Sequence, residues 1–412
     1  MSRKMKLIPE LRFPEFVNDG GWLGTPLIAT VDKNVKWSFT GGPFGSNLKA
    51  SDYTESGFRI IQLQNIGDGE FNDDYKIYTS LEKADELLSC NIYAGDIILS
   101  KMGDPVGRAC IIPKHLERCV MASDGIRLVV DEKKHSKYFI YSLINSKQIR
   151  EAIERESTGS TRKRIGLNDL KKVELILPIN PIEQKKIASC LSSLDELITA
   201  HSDKLETLKD HKKGLMQNLF PQKGRKVPNY RFPGFEKDGE WVEKALGKIC
   251  NLQAGKFVKA SEIFENRFDN LFPCYGGNGL RGYTKSFTHK GKYSLIGRQG
   301  ALCGNITLAD GQFHATEHAV VVTPEKKVDT DWLFYTLVFL NLNQYATGQA
   351  QPGLSVANLE KVKLRIPKLE SEQQIIAFCL SSLDELITAQ SEKIKLLQQH
   401  KKGLMQGLFP KI

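Results

Sequence analysis

Leu191-Ser192-Ser193-Leu194-Asp195-Glu196-Leu197-Ile198-Thr199-Ala200 returns letter for letter as Leu380–Ala389. Further on, His211-Lys212-Lys213-Gly214-Leu215-Met216-Gln217 returns as His400–Gln406, and Leu219-Phe220-Pro221 as Leu408-Phe409-Pro410. Each matched pair lies 189 positions apart, so nothing has been inserted between the anchors. A gapless match of this length marks a duplication.

Both copies read as one long helix. Ile187, Leu191, Leu194, Ile198, Leu205, Leu208, Leu215 and Leu219 step by three and four and form one stripe. Ile376, Leu380, Leu383, Ile387, Ile394, Leu397, Leu404 and Leu408 repeat it in the second copy. The step holds a seven-residue register, which is the mark of a coiled-coil seam. Polar residues interrupt the seam at equivalent places, His201 and Gln390, then Lys212 and Lys401. Such interruptions cost stability but fix register. Asn180-Pro181-Ile182-Glu183 is a start signal, with a capping side chain, Pro in the first turn and Glu at the third helical position. Pro221 and Pro410 are stops. About 35 residues at ~1.5 Å each make a rod of roughly 50 Å. A leucine seam is unstable alone, and each helix has its own copy as the obvious mate, parallel or antiparallel.

A second repeat precedes the helices at a different offset. Pro9-Glu10-Leu11-Arg12-Phe13-Pro14-Glu15-Phe16 with Trp22 returns as Pro228-Asn229-Tyr230-Arg231-Phe232-Pro233-Gly234-Phe235 with Trp241, 219 positions on. The chain is therefore a tandem array of lead-in motif, variable module and helix. We expect a first module over 1–178, a helix over 179–221, a second module over 222–367 and a helix over 368–412. Each module reads as mixed α and β. Phe58–Leu63, Asp96–Ser100, Ile126–Val130, Tyr293–Ile296 and Ala319–Val322 are strand-like, whereas Tyr138–Glu154 and Trp332–Tyr345 are helical.

The totals narrow the function. At 412 residues the chain holds two or three domains. Net charge +10 and pI near 9.0 suggest an anionic partner. Eight cysteines without a C-x-x-C pair look like small buried hydrophobes of a reducing cytoplasm. No run approaches a membrane span. A cytoplasmic location is expected.

Several motifs dissolve on inspection. His314-Ala315-Thr316-Glu317-His318 matches an inverted zinc-protease signature. It runs into the strand-like Ala319–Val322, however, where the two histidines lie too far apart for one metal. Gly277-Asn278-Gly279-Leu280-Arg281-Gly282 matches a dinucleotide fingerprint but opens no helix, so it reads as an exposed turn. Asp195-Glu196 and Asp384-Glu385 fit a solvated helix face. No catalytic constellation, metal site or bound cofactor is expected.

The remaining chemistry suits nucleic acid. Gly159 opens a loop of Ser160, Thr161, Arg162, Lys163 and Arg164, with cations and hydroxyls fit for phosphates and guanine edges. Gln62, Gln64 and Asn65 can bond adenine or cap a turn. Lys101 completes the first module's set. The second module offers Tyr275, Asn278, Arg281, Tyr283, Arg298, Gln299, Gln349 and Gln351.

These features together resemble the DNA-specificity subunits of type I restriction–modification systems. The alternation of variable module and near-identical helix carries the resemblance. So do Gly41-Gly42-Pro43-Phe44-Gly45-Ser46 with Leu63-Gln64-Asn65-Ile66, Tyr275-Gly276-Gly277-Asn278-Gly279, Gly95–Ser100 and Gln351-Pro352-Gly353-Leu354-Ser355. The resemblance implies an α+β fold in which two target-recognition domains are separated by two long helices paired as an antiparallel coiled coil. It further implies a non-catalytic subunit in which each domain reads half of an asymmetric bipartite site on double-stranded DNA. Two modification subunits would use S-adenosylmethionine on adenine, restriction–translocation subunits would join, and helix length would set the spacer. The competing expectations are a coiled-coil scaffold and a stand-alone DNA-modifying enzyme.

Overall fold

The computed structural model describes residues 7–300, 302–348 and 352–411. Chain contacts divide it into two compact units, Met1–Ala200 with Ile394–Ile412, and His201–Lys393. Each unit therefore takes part of both long helices, which run over Pro181–Leu219 and Glu370–Leu408. The first helix starts where Asn180 caps it, with the Ile182 amide donating to Asn180 Oδ1 at 3.0 Å. Both helices end just before the Phe-Pro pairs.

In the first unit, Asp195 accepts from Lys401 Nζ at 2.5 Å, and Ile187 and Leu191 share a core with Leu408 and Phe409. The two segments are thus antiparallel. In the second unit Gln390 Nε2 donates to the His201 carbonyl at 2.7 Å, and Lys212 donates to Asp384 at 2.5 Å. Numbers rise on one helix as they fall on the other, so this pairing is antiparallel as well. Leu194, Ile198, Leu205, Leu208, Ile387, Ile394 and Leu397 are half-buried, and Ile376, Leu380 and Leu383 are buried, while most residues between them are exposed. Each buried leucine contributes about 1.5–3 kcal/mol. The seam's polar interruptions are occupied by specific partners, which fixes the register.

Asp195 and Asp384 depart from the solvated role read from sequence. Tyr138 donates its hydroxyl to Asp195, which also holds Lys401; Tyr335 donates to Asp384 at 2.7 Å, which also holds Lys212. The arrangement recurs in each unit with the helices exchanging roles. It ties each module to one helix and that helix to its mate.

The lead-in motif has a matching purpose. Arg12 donates from Nε and Nη2 to the two oxygens of Glu183, both at 2.7 Å, and Trp22 Nε1 donates to the same carboxylate at 3.2 Å. Arg231, Glu372 and Trp241 repeat this at 2.7, 2.7 and 3.2 Å. Glu183 and Glu372 are 1% exposed, so the Glu that marks the helix start at position 183 is a buried partner of the lead-in motif, and Glu372 plays the same part in the second copy. One residue on, Gln184 accepts from the Ser136 amide and Gln373 from the Asp329 amide, at the starts of the module helices Lys137–Ile144 and Thr330–Phe339.

Each module closes its ends against each other. Leu23–Pro26 pairs antiparallel with Glu174–Leu177, and Val242–Ala245 with Lys363–Ile366. Above this joint stand two sheets. In the first module Phe58–Ile61 lies parallel to Arg118–Met121 in one sheet, while Gly125–Leu128 bonds to Phe39–Gly41 and Ile97–Ser100 in the other. In the second, Phe272–Gly276 lies parallel to Gln312–Ala315, and Ala319–Pro324 bonds to Cys250–Ala254 and Tyr293–Gly297. A tight turn joins the sheets in each case, at residues 122–124 and 316–318. The helical stretch read over Tyr138–Glu154 is two helices, Lys137–Ile144 and Lys147–Arg155, because Ser146 restarts the chain. The stretch read over Trp332–Tyr345 leaves the α-helix after Phe339, where Asn341 adopts φ +47°.

All eight cysteines are free thiols. Burial pushes Cys110, Cys119 and Cys250 up to about 12 and Cys274 up to about 11, which keeps them unreactive. Among the described residues no helix is long and apolar enough to cross a membrane.

Candidate nucleic-acid interface

Backbone hydrogen bonds build the same frame at the sheet-joining turn of each module. The Lys101 amide donates to the Asp124 carbonyl at 2.7 Å, and the Ile165 amide donates to the Lys101 carbonyl at 3.0 Å. In the second module the Arg298 amide donates to the His318 carbonyl at 2.9 Å, and the Leu354 amide to the Arg298 carbonyl at 2.8 Å. Thr158 and Arg164 exchange a pair of backbone bonds, as do Thr347 and Gly353. Lys101 thus corresponds to Arg298, Asp124 to His318 and Arg164 to Gly353. A glycine presses against each turn: a Cβ at Gly42 would lie 1.8 Å from the Ala122 carbonyl oxygen, and one at Gly255 2.3 Å from that of Ala315.

The side chains on this frame differ. In the first module Asp124 holds Arg164, with Nη2 donating to Oδ1 at 2.9 Å, which presents a half-exposed guanidinium at a set angle. Ser160, Thr161 and Arg162 are exposed in the adjoining loop, and Lys163 pairs with Glu154. Lys101 is half-buried. In the second module Asn278, Arg281, Gln299 and His318 line a cavity of about 560 Å³. There His318 Nε2 lies 3.3 Å from Glu317 Oε1. Arg298 is half-buried, its guanidinium reaching the Leu354 and Glu317 carbonyls at 3.4 and 3.5 Å. Gln349 and Gln351 lie outside the described residues.

Other sequence candidates have structural employment. Asn65 is 0% exposed; its amide donates to the Asn72 and Tyr75 carbonyls at 2.8 and 2.9 Å while its oxygen accepts from the Gln62 amide. Of the two roles open to it, Asn65 performs the capping one and cannot reach a base. Gln62 is half-buried, with Nε2 donating to Tyr53 at 3.2 Å, and Gln64 is exposed. Tyr275 packs edge-on against Phe313 at 5.7 Å, and burial raises its phenol above the usual value. Tyr283 is half-buried on the hairpin strand Gly279–Thr284, its backbone paired with Phe264.

The two discounted motifs are structural as well. Residues 277 and 278 turn that hairpin. His314 is buried on its strand with Nε2 3.1 Å from the Lys256 carbonyl, and His318 sits in the turn beyond rather than on a common strand. No cluster of three or more His, Cys, Asp or Glu that could hold a metal occurs among the described residues.

Sequence reading missed Asp124 and passed over His318 except as a metal ligand. Neither carries a local signal, since the frame that brings each to the loops is a backbone pattern.

Two unlike candidate faces thus stand on one duplicated frame. The type I restriction modification DNA specificity domain matches residues 51–210 and 238–399, and the chain belongs to that family. It is 46% identical over 158 residues to the EcoprrI specificity subunit of Escherichia coli, covering 38% of this chain and 39% of that one. Against the putative MjaX specificity subunit of Methanocaldococcus jannaschii the identity is 22% over 376 residues, 86% of each chain. The crystal structure of the type I restriction–modification S subunit of M. genitalium shares the fold, with a TM-score of 0.64 at 18% identity, covering 98% of this chain and all of that one.

Proposed function

We propose that this chain is the DNA-specificity subunit of a type I restriction–modification complex, with each module reading one half of an asymmetric bipartite site. The observation that carries this reading is the shared frame with exchanged contents. Lys101, Asp124 and Arg164 stand where Arg298, His318 and Gly353 stand, so backbones that superpose in pattern offer different donors and acceptors. Such a pair reads two unlike sequences with one geometry. The held guanidinium of Arg164 suits a guanine edge, and Arg162 suits a phosphate.

The chain acts without its own catalytic residues or cofactor. S-adenosylmethionine belongs to the modification subunits that it recruits, and the restriction–translocation subunits join that assembly. The two identical helix stretches supply two equivalent docking places, each with an exposed apolar side chain, Leu197 and Leu386. Helix length sets the spacer between half-sites. The cytoplasm is the working compartment.

Selection from a randomised duplex library by the chain with its modification subunits tests the reading. Two short, unlike motifs at a fixed gap are expected, and selection of no motif refutes it. Arg162→Ala should weaken binding and lower the salt slope by about 0.9 without changing the second motif. Deleting four residues from both helices should shorten the preferred gap. Turnover by the purified chain alone with DNA and S-adenosylmethionine would instead favour an enzyme.

A further inference from the structure

Beyond the duplicated helices and lead-in motif, two short passages survive in both modules, Gly-x-Phe 213 positions apart and Lys-Ala-Ser 210 positions apart. Gly42-Pro43-Phe44 is followed by Lys49-Ala50-Ser51-Asp52, and Gly255-Lys256-Phe257 by Lys259-Ala260-Ser261-Glu262. Structure accounts for most of what is retained. Gly42 and Gly255 press on the sheet-joining turns, where a side chain would collide. The Gly42 amide donates to the Gly125 carbonyl at 2.8 Å, and the Gly255 amide to the Ala319 carbonyl at 2.9 Å. The Lys-Ala-Ser segments form 3-10 turns over Ala50–Asp52 and Ala260–Glu262.

The phenylalanines are not explained in this way. Phe44 is 83% exposed and Phe257 71% exposed. Single exposed apolar side chains are ordinary on a protein surface; these two stand out because the same residue type recurs at the same place after the pinned glycine. Packing within the module does not require these rings, yet each stands two residues beyond the pinned glycine. Each phenylalanine therefore follows, by two residues, a glycine whose backbone lies against the sheet-joining turn. Around them the residues offered to base edges have diverged.

We propose that Phe44 and Phe257 are a shared, sequence-independent DNA contact: each ring stacks on an exposed base face or wedges into a base step beside its half-site. The inference rests on the DNA-reading function above. A ring face suits this role because every base offers a π-surface, so one residue type serves two modules that read different sequences. Apolar wedges between base steps unstack and kink duplex DNA. The divergent polar side chains then choose the sequence, while the common ring opens or grips the step.

The test uses the full chain with its modification subunits and its selected bipartite duplex, carrying 2-aminopurine at successive steps beside each half-site. Wild type should brighten the probe at one position per half-site. Phe44→Ala should abolish that signal at the first half-site only and weaken binding about tenfold, as loss of one stacked base does. The bases selected at that half-site should not change, and Phe44→Trp should restore signal and affinity. Phe257→Ala should do the same at the second half-site. Unchanged affinity and fluorescence in both alanine variants overturns the proposal. So does loss of the modification subunits on co-purification, which would assign the rings to a protein contact. Altered base preference without loss of the unstacking signal overturns it too. If the wild-type chain selects no sequence at all, the DNA-reading function itself fails.

Discussion

Glu372→Gln isolates the ion pair that docks the second lead-in motif. The carboxylate is 1% exposed and accepts both Arg231 bonds and the Trp241 indole bond. An amide keeps the volume and one acceptor but leaves the guanidinium uncompensated and the indole N–H competing for one oxygen. Breaking a buried pair costs about 3–5 kcal/mol. The low end applies, because Arg231 keeps its bond to the Gly239 carbonyl at 2.7 Å. For a unit of roughly 190 residues, about 3 kcal/mol corresponds to a fall of roughly 6–12 °C in melting temperature. Hydrogen exchange read by mass spectrometry localises the effect: amides of residues 228–246 should lose protection while those of 9–27 keep it, and Glu183→Gln should reverse the pattern. A double-mutant cycle with Arg231→Met should show strong coupling. A loss below about 0.5 kcal/mol, against the cost expected for a buried pair, would refute the reasoning.

Three further outcomes follow from named contacts. Lys401→Ala removes the cation between Asp195 and its helix mate and should destabilise the first unit by about 1 kcal/mol in chemical denaturation, with Lys212→Ala acting on the second. Burial first, and then donation to Asp195 or Asp384, raises the phenols of Tyr138 and Tyr335 above their usual 10. The folded state favours the neutral phenol, so this stabilisation is complete below about pH 10 and is lost as pH rises beyond it; Tyr335→Phe should flatten the alkaline fall of the melting curve. Asp124→Asn should free Arg164 and relax one guanine preference in the first half-site by about tenfold, measured by selection, with the second half-site unmoved.

The helices were legible because Ile187 to Leu219 repeat one spacing and a second copy repeats the letters. The α+β character of the modules was legible from alternating strands and glycines. Burial of acids was not. Asp195 sits between seam positions, so spacing alone placed it in water, and Glu183 read only as part of a helix start, with nothing local to show its burial. Their partners, Arg12 and Lys401, are 171 and 206 residues away. The break at Asn145-Ser146 was hidden by apolar spacing that continues through it. The candidate interface was legible as a set of loops but not as a site. Asn65 carried the right chemistry and is consumed by its own turn, whereas Asp124 and His318 meet the loops only through strands that neighbour one another in the sheets. The Lys-Ala-Ser passage escaped notice because its offset, 210 residues, matches neither of the longer repeats.

The first unit's core includes Leu408 and Phe409, and the Leu11 amide donates to the Gly407 carbonyl at 2.8 Å. During synthesis, that core must wait while some two hundred intervening residues leave the ribosome, at about 5–20 residues per second. For roughly ten seconds or more, the nascent first head carries an uncovered apolar floor. A premature stop near residue 393 would therefore injure the head made earliest and leave the later one the better folded of the two.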